Sequence, residues 1–553
     1  MAGSALVKLL DSLSSKRSIK YTVYLGSIVF FFSLILLPPI LGILLKWNTI
    51  GEIFEDPNLL SAAMNAIYAS FSIAIFVSVV DLIAGLPMAW YIARGKSKWL
   101  NVLDTLADIP FVIPTATLGY SLLLFWSDPK QGISSLFGGS LISPGWLLVI
   151  LLHFAFSYPV IVRVMVGALL DYKQEYEAAA RTLGAPPLTA DRTVTFPILK
   201  FSLISSFTLA FARSISETGA TMMVAGAFES GKWIGFENGP IFIWTHSDRH
   251  GPLVFVSLIL IAFSCLIFAA IRLLGPRLKM PVKKVWPATE KRLSSSHIAS
   301  TRNSITLLIF FALVFIPSLF VALPAINAVF TGTLTDALRG VNPWGDYWQS
   351  LLLSYFIGTV VTLLNVIVGL PMAVLIARRR LGTTLSAIFD ILVDIPMIVP
   401  SIALGFSLRI FWKESLTFIP EIWLLIFAHL SITYPYFVRS MSAAIKRISV
   451  DLEEASRTLG ARPLGVLRTI VLPLTKYSLL SGAIMMFTRS VNETGATKVV
   501  TQLKTAPVLL VSWVDQLKSG KLSSLEVGLA CGFLVLLSFV VLLILRLIAR
   551  KGR

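Results

Sequence analysis

Hydrophobic positions run through this chain in long blocks, and the longest blocks carry no charge. No Asp, Glu, Lys or Arg falls between Lys20 and Lys46, from Pro252 to Ile271, from Asn303 to Thr335 or from Val527 to Leu545. A hydrocarbon core of about 30 Å takes roughly 20 helical residues to cross, so each block predicts a membrane-spanning helix. Read along the whole chain, the pattern predicts twelve spans, at approximately 21–45, 64–92, 102–126, 146–170, 201–226, 252–272, 304–330, 349–377, 385–411, 421–444, 477–500 and 526–546. The first block is too long for a cleavable signal segment and has no small-residue cleavage site, which predicts a permanent helix. The predicted class is an all-α polytopic membrane protein.

Composition and charge agree with that class and orient it. At 56% hydrophobic and 14% charged over 553 residues, the chain holds more apolar side chain than a soluble core needs. In the first half, segments 1–20, 92–101, 171–200 and 272–303 hold nineteen Lys or Arg against six Asp or Glu, while 46–63, 127–145 and 227–251 hold four against seven. The positive-inside rule then predicts a multi-pass protein of the cell (inner) membrane with both termini cytoplasmic. The net charge of +18 has this topological explanation and calls for anionic lipid as neighbour, with no nucleic acid. Cys265 and Cys531 lie inside apolar runs, where packing is the expected role.

The polar positions repeat. GLPMA at 85–89 returns at 369–373, DIPFVIP at 108–114 returns as DIPMIVP at 394–400, HFAFSYPVIVR at 153–163 returns as HLSITYPYFVR at 429–439, and RSISETGAT at 213–221 returns as RSVNETGAT at 489–497. Six spans per half is an even number, so both halves enter the membrane in the same direction. The chain therefore reads as two parallel six-helix repeats about an axis along the membrane normal, with a pathway expected at their interface. Residues 1–275 form the first unit and 304–553 the second, joined by a basic linker, 276–303.

One repeated segment is water-facing: EYEAAARTLGAPPLTADRTVTFPILK at 175–200 and DLEEASRTLGARPLGVLRTIVLPLTK at 451–476. Ala, Glu, Arg and Leu favour helix, Gly breaks it, and Pro197 and Pro473 are expected to stop a second short helix before the next span. These segments resemble the EAA loops of ATP-binding-cassette importer permeases, with the pattern E-A-A-x-x-x-G and a later hydrophobic-Pro. The repeat and the span count also agree with two fused permease domains of the type I importer fold. The resemblance implies a permease moving a small solute delivered by an extracytoplasmic substrate-binding protein and powered by a separate ABC ATPase dimer on the cytoplasmic side. It makes each loop a coupling helix seated in a groove of that ATPase, and implicates Glu177, Ala179 and Gly184 in one half and Glu453, Glu454, Ala455 and Gly460 in the other. Copy one departs from the pattern, with Ala178 where the motif's Glu stands and Glu177 adjacent.

The sequence has no GxxxxGK[ST], no metal-ligand spacing and no nucleophile constellation, so no ATPase activity, cofactor or metal is expected of the chain itself. A twelve-span secondary transporter is the alternative class, and it has no need of the repeated loop. A purely structural or interaction membrane protein is the third reading, and intramembrane charges count against it. Arg213 and Glu217 stand four apart in the fifth span, as do Arg489 and Glu493 in the eleventh. Each pair is readable as a structural salt bridge or as pathway lining with Ser216, Thr218, Asn492 and Thr494. Arg163 and Arg439 are expected to be snorkelling anchors, and Asp108 and Asp394 to mark a pre-proline helix boundary, with an inter-helix hydrogen bond as the alternative. His246, Asp248 and His250 suggest a solvated external loop rather than a metal site. For the substrate, fusion of two permease domains in one chain resembles the iron(III) and thiamine permeases. The ETGAT segment followed by MMVAG is similar to permeases for oxyanions such as molybdate or sulfate. The fusion favours iron(III) or thiamine, with an oxyanion as the alternative.

Overall fold

The computed structural model describes residues 11–12, 14–95, 97–229, 232–277, 286–415 and 418–550. The expected cytoplasmic termini at 1–10 and 551–553, and 278–285 of the predicted linker, lie outside the described residues. Among the described residues nine helices are long and apolar enough to cross a membrane, and three bent helix pairs bring the spans to twelve. Among the described residues the fold is all-α but for a two-stranded antiparallel hairpin, Gly226–Glu229 with Lys232–Gly235.

The third span of each half, read from hydropathy as one stretch, is sharply bent. Trp99–Pro110 meets Thr115–Ser127 at 100°, and Thr383–Ile398 meets Ser401–Glu414 at 98°. Both bends fall in the repeated DIPxxxP motif. Ile113 and Val399, each preceding a proline, are extended at ψ 130° and 131°, because the proline ring excludes the helical region for the residue before it.

Charged residues tie the bent span to the fourth helix of its half. Arg163 donates from Nε to Asp108 Oδ1 at 2.8 Å, from Nη1 to Asp104 Oδ1 at 3.2 Å and from Nη2 to the Asp104 carbonyl at 3.1 Å. Arg439 repeats this with Asp394, with Asp390 Oδ1 at 3.0 Å and with the Asp390 carbonyl at 2.8 Å. These arginines are therefore interhelical clamps rather than snorkelling anchors. Asp108 and Asp394 take the inter-helix role that the sequence offered as the alternative, and Asp394 also stands at the expected pre-proline boundary, before Ile395–Ile398, while Asp108 lies inside Trp99–Val112.

The first span of each half packs on the other half. In Arg17–Leu45, Ser27 Oγ donates to the Val368 carbonyl at 2.8 Å, Phe31 stacks on Tyr434 at 5.8 Å, and Ile43 N–H donates to Ser407 Oγ at 3.0 Å. In Ser296–Phe330, Phe310 stacks on Tyr158 at 6.2 Å, and Ser121 Oγ donates to the Pro317 carbonyl at 2.7 Å while accepting from Val321 N–H at 2.9 Å. Ser121 and Ser407 occupy equivalent places in the repeat, so the exchange is reciprocal.

The clamps differ in exposure, with side-chain values of 34% for Arg439 and 44% for Arg163. Replacing Arg439 by Leu leaves Asp394 without its cation and Asp390 with Lys446 alone at 3.7 Å, and is expected to cost on the order of 2 kcal/mol, between the surface and buried limits. Arg163→Leu is expected to cost less. Thermal unfolding of the purified protein measures both, and an equal or reversed order contradicts the ranking.

Candidate functional site

The fifth span of each half does not continue as one helix. Lys200–Ser216 ends before Glu217, and a short helix, Gly219–Ala225, follows. In the second half Leu472–Val491 ends before Asn492, and Gly495–Val500 follows. Both interruptions lie in the repeated ETGAT segment. Each glutamate caps the helix after the break: Ala220 N–H donates to Glu217 Oε1 and Ala496 N–H to Glu493 Oε1, both at 3.1 Å.

The expected picture of Arg and Glu on one uninterrupted helical face is therefore corrected, since each Glu stands where the helix has stopped. Arg489 Nη1 still reaches Glu493 Oε2 at 2.6 Å, while the Arg213 guanidinium lies over the Phe156 ring at 5.5 Å. Ser216 Oγ is turned back to the Arg213 carbonyl at 3.2 Å. Asn492 is buried beside the second break.

The two breaks cross. A Cβ on Gly219 would lie 2.5 Å from Thr494 Cβ, and one on Gly495 would lie 2.5 Å from Ser401 Oγ and 2.9 Å from Thr218 Cβ. Thr218 and Thr494 are buried, and Ser401 Oγ donates to Thr218 Oγ1 at 3.4 Å. The halves thus meet at threonine against glycine, twice, on the interface where a parallel repeat places its pathway. Ser401 was not among the residues expected here, because it belongs to the bent third span.

At one end of the bundle stand the two repeated loops. Glu175–Thr182 and Val450–Thr458 are helical. Gly184 at φ +93° and Gly460 at φ +88° close them, with Ala185 N–H on the Ala180 carbonyl at 3.1 Å and Ala461 N–H on the Ser456 carbonyl at 3.0 Å. This is the left-handed C-terminal cap that glycine permits. Pro473 sits in the first turn of Leu472–Val491 instead of stopping a helix, where a proline loses no hydrogen bond, whereas the helical piece holding Pro197, Pro187–Ile198, does end there as expected and is bent by 72° from Lys200–Ser216.

The loop glutamates do not all face outward. Glu453 is buried, paired with Arg378 at 2.6 Å and Arg457 at 3.2 Å. Glu177, its counterpart, pairs with Arg94 at 3.1 Å. Ala179, Glu454 and Ala455 are exposed, and Leu183 and Leu459, each just before the glycine, are both 89% exposed. Arg94 and Arg378 close the second spans, Pro57–Arg94 and Trp344–Ala377.

Each loop is also braced by the segment preceding an exchanged first span. Glu290 accepts from Thr189 Oγ1 and from Arg192 Nε at 2.8 Å, and Ser294 Oγ accepts from Leu188 N–H at 3.1 Å. Asp11 and Ser14 do the same for Gly465 N–H at 2.9 Å and Leu464 N–H at 3.2 Å. The Thr189 hydroxyl first, and Arg192 with it, hold the Glu290 carboxyl below its usual range against the opposing effect of burial. Sequence reading missed these braces, since no repeated motif marks them.

Of the external cluster, His246 is bound to its own helix, with Nδ1 at 3.1 Å from the Phe242 carbonyl and its ring stacked on Phe242 at 4.2 Å. Among the described residues no three His, Cys, Asp or Glu side chains converge as a metal site would require.

Two stretches, 82–280 and 366–552, match the family described as binding-protein-dependent transport system inner membrane component. The sulfate transport system permease protein CysT of Salmonella typhimurium is 32% identical over 227 residues, which is 39% of this chain and 79% of that protein. The Escherichia coli protein of the same name is 30% identical over the same shares. A probable sulfate transport system permease protein of Zygnema circumcarinatum is 31% identical over 220 residues, 38% of this chain and 75% of that protein.

Two outcomes test this geometry. With Cys265 and Cys531 replaced by Ser, Thr218→Cys is expected to resist a soluble thiol reagent and to react about tenfold faster once Gly495→Val wedges the crossing, the equivalent of about 1.4 kcal/mol of opening. Unchanged labelling would mean that the contact does not close the crossing. For the brace, a depressed carboxyl contributes stability above its unfolded value and loses it as pH falls through the lower folded value. Glu290→Gln is therefore expected to reduce amide protection over 287–294 at neutral pH, a loss that the parent protein reaches only on acidification below the ordinary glutamate range. Hydrogen exchange, corrected for intrinsic rates, measures it.

Proposed function

Because the chain belongs to the family of binding-protein-dependent transport system inner membrane components, we propose that it works as two fused permease domains, residues 1–275 and 304–553 with 276–303 between them, importing an oxyanion of the sulfate kind. The observation that carries the transport reading is the crossing of two interrupted helices at Thr218, Gly219, Thr494 and Gly495. A discontinuous helix inside a bilayer is tolerated where protein or a pathway surrounds it. The crossing is then the gate, with Arg213, Ser216, Glu217, Thr218, Arg489, Asn492, Glu493 and Thr494 about it.

In this reading the loop end is cytoplasmic, and the helices Glu175–Thr182 and Val450–Thr458 seat in an ATPase dimer. Leu183, Leu459, Ala179, Glu454 and Ala455 form the docking face. Glu177 and Glu453 point inward and tie each helix to a second span through Arg94 and Arg378. Movement of the ATPase is thereby delivered to the bundle, while Gly184 and Gly460 hold the bend. A binding protein delivers solute on the opposite side. Hydrolysis belongs to the partner, as the family is the membrane component.

The sulfate permeases among the relatives support an oxyanion over iron(III) or thiamine, for which the fusion of two domains was the argument. The test is uptake into vesicles holding the chain, its ATPase and its binding protein. Sulfate or a kindred oxyanion is expected to be accumulated with ATP, and Gly184→Val with Gly460→Val to reduce that uptake by more than about tenfold, because both glycines have positive φ. Accumulation of iron(III) or thiamine with none of sulfate, molybdate or their kin would replace the substrate assignment. Undiminished uptake by the double variant would remove the loops from coupling.

A further inference from the structure

Two buried histidines, one in each half, have no part in the reading above. His153, in Trp146–Asp171, lies 2.8 Å from Ser214 Oγ through Nδ1 and 3.0 Å from Thr221 Oγ1 through Nε2. His429, in Glu421–Arg447, lies 2.8 Å from Ser490 Oγ and 2.8 Å from Thr497 Oγ1. In each half the first hydroxyl belongs to the helix before the interruption and the second to the short helix after it. Every imidazole therefore spans a break. A neutral imidazole offers one N–H and one lone pair, and a hydroxyl serves either, so both ring edges are satisfied without charge.

Behind each ring the backbone is tied to the second span. Ser157 Oγ lies 2.5 Å from the His153 carbonyl and also bonds the Asp81 carboxyl. Thr433 Oγ1 donates to the His429 carbonyl at 2.6 Å and accepts from Asn365 Nδ2 at 2.8 Å. Asp81 and Asn365 belong to Pro57–Arg94 and Trp344–Ala377, the helices whose ends hold Glu177 and Glu453 of the loops. A continuous line of contacts thus joins each loop helix to a helix break.

We propose that His153 and His429 are positioning residues that hold the two interrupted spans in their closed form, and that the second spans carry loop movement to them through Asp81 and Asn365. The proposal rests on the crossing being the gate. Each clamp supplies two hydrogen bonds across a break, and without them the two helical pieces are free to swing apart and part the Thr218–Gly495 and Thr494–Gly219 contacts.

The test uses the full chain in liposomes loaded with labelled sulfate and with erythritol, without ATPase or binding protein. The parent chain is expected to retain both solutes. His153→Ala with His429→Ala is expected to release both about tenfold faster, the population shift that losing these hydrogen bonds allows. A second chain, with Ser214, Thr221, Ser490 and Thr497 changed to Ala, keeps the imidazoles and is expected to leak alike. Asp81→Leu is expected to leak, and Asp81→Asn to leak less than Asp81→Leu, since Asn365 already holds that place in the other half.

Tight vesicles for both clamp-deficient chains overturn the proposal. So does a leak from the histidine variant alone, which would report the void left by the rings rather than the lost bonds. If the histidine variant does not insert, the hydroxyl variant decides. Erythritol release does not depend on which solute is the natural one, so an error in the substrate leaves this result readable, and the gate itself is tested separately by the Thr218→Cys labelling.

Discussion

A helix that breaks inside a bilayer exposes N–H and C=O groups to a medium that cannot bond them, and the two breaks in the ETGAT segments place that demand at the centre of this protein. Glu217 and Glu493 answer it on the far side of each gap by accepting from Ala220 and Ala496. The charge this introduces is itself costly in low dielectric, and in the second half Arg489 lies 2.6 Å from Glu493. In the second half the Arg and Glu of the motif are thus parts of one local solution. Once the helix is interrupted, its small residues approach the other half closely enough for threonine to rest on glycine.

The bent third spans follow from the same geometry. A straight third helix could not bring Ser401 to the crossing. The prolines of the repeated motif turn the chain by about a right angle, and the Arg163 and Arg439 clamps fix the turn. Reciprocal exchange of the first spans then binds the halves outside the crossing, through Ser407 with Ile43 and Ser121 with Val321. Holding the halves together at the periphery leaves the centre free to rely on small contacts.

The halves are repeats without being copies. The hairpin Gly226–Glu229 with Lys232–Gly235 belongs to the first half. Lys518 of the second half donates to the Met223 and Gly226 carbonyls of the first at 2.8 and 2.7 Å, and Lys498 lies 3.9 Å from the Trp244 ring. Asp81 and Asn365 differ in side-chain chemistry yet hold the same place, each bonded to the hydroxyl behind a histidine. Elements repeated faithfully, such as the loop glycines and the ETGAT threonines, serve both halves in the same way.

Span number, parallel repetition and the polar loop were legible in the sequence, because each rests on a local rule: hydrophobic length, even parity, and a helix ended by glycine. The family resemblance was legible for the same reason, since the EAA pattern is contiguous. The fusion pointed to an iron(III) or thiamine solute, and the relatives favour the alternative; span pattern carries no substrate information. What only the tertiary structure decided are relations between distant positions. It turned Arg163 and Arg439 from anchors into clamps, Glu177 and Glu453 inward, and His153 and His429 into bridges across breaks that periodicity reads as continuous helix. Hydrophobicity is blind to a missing backbone bond within an apolar run, and partners 45 to 364 residues apart, such as Arg439 with Asp394 and Ile43 with Ser407, become visible only when the chain is folded.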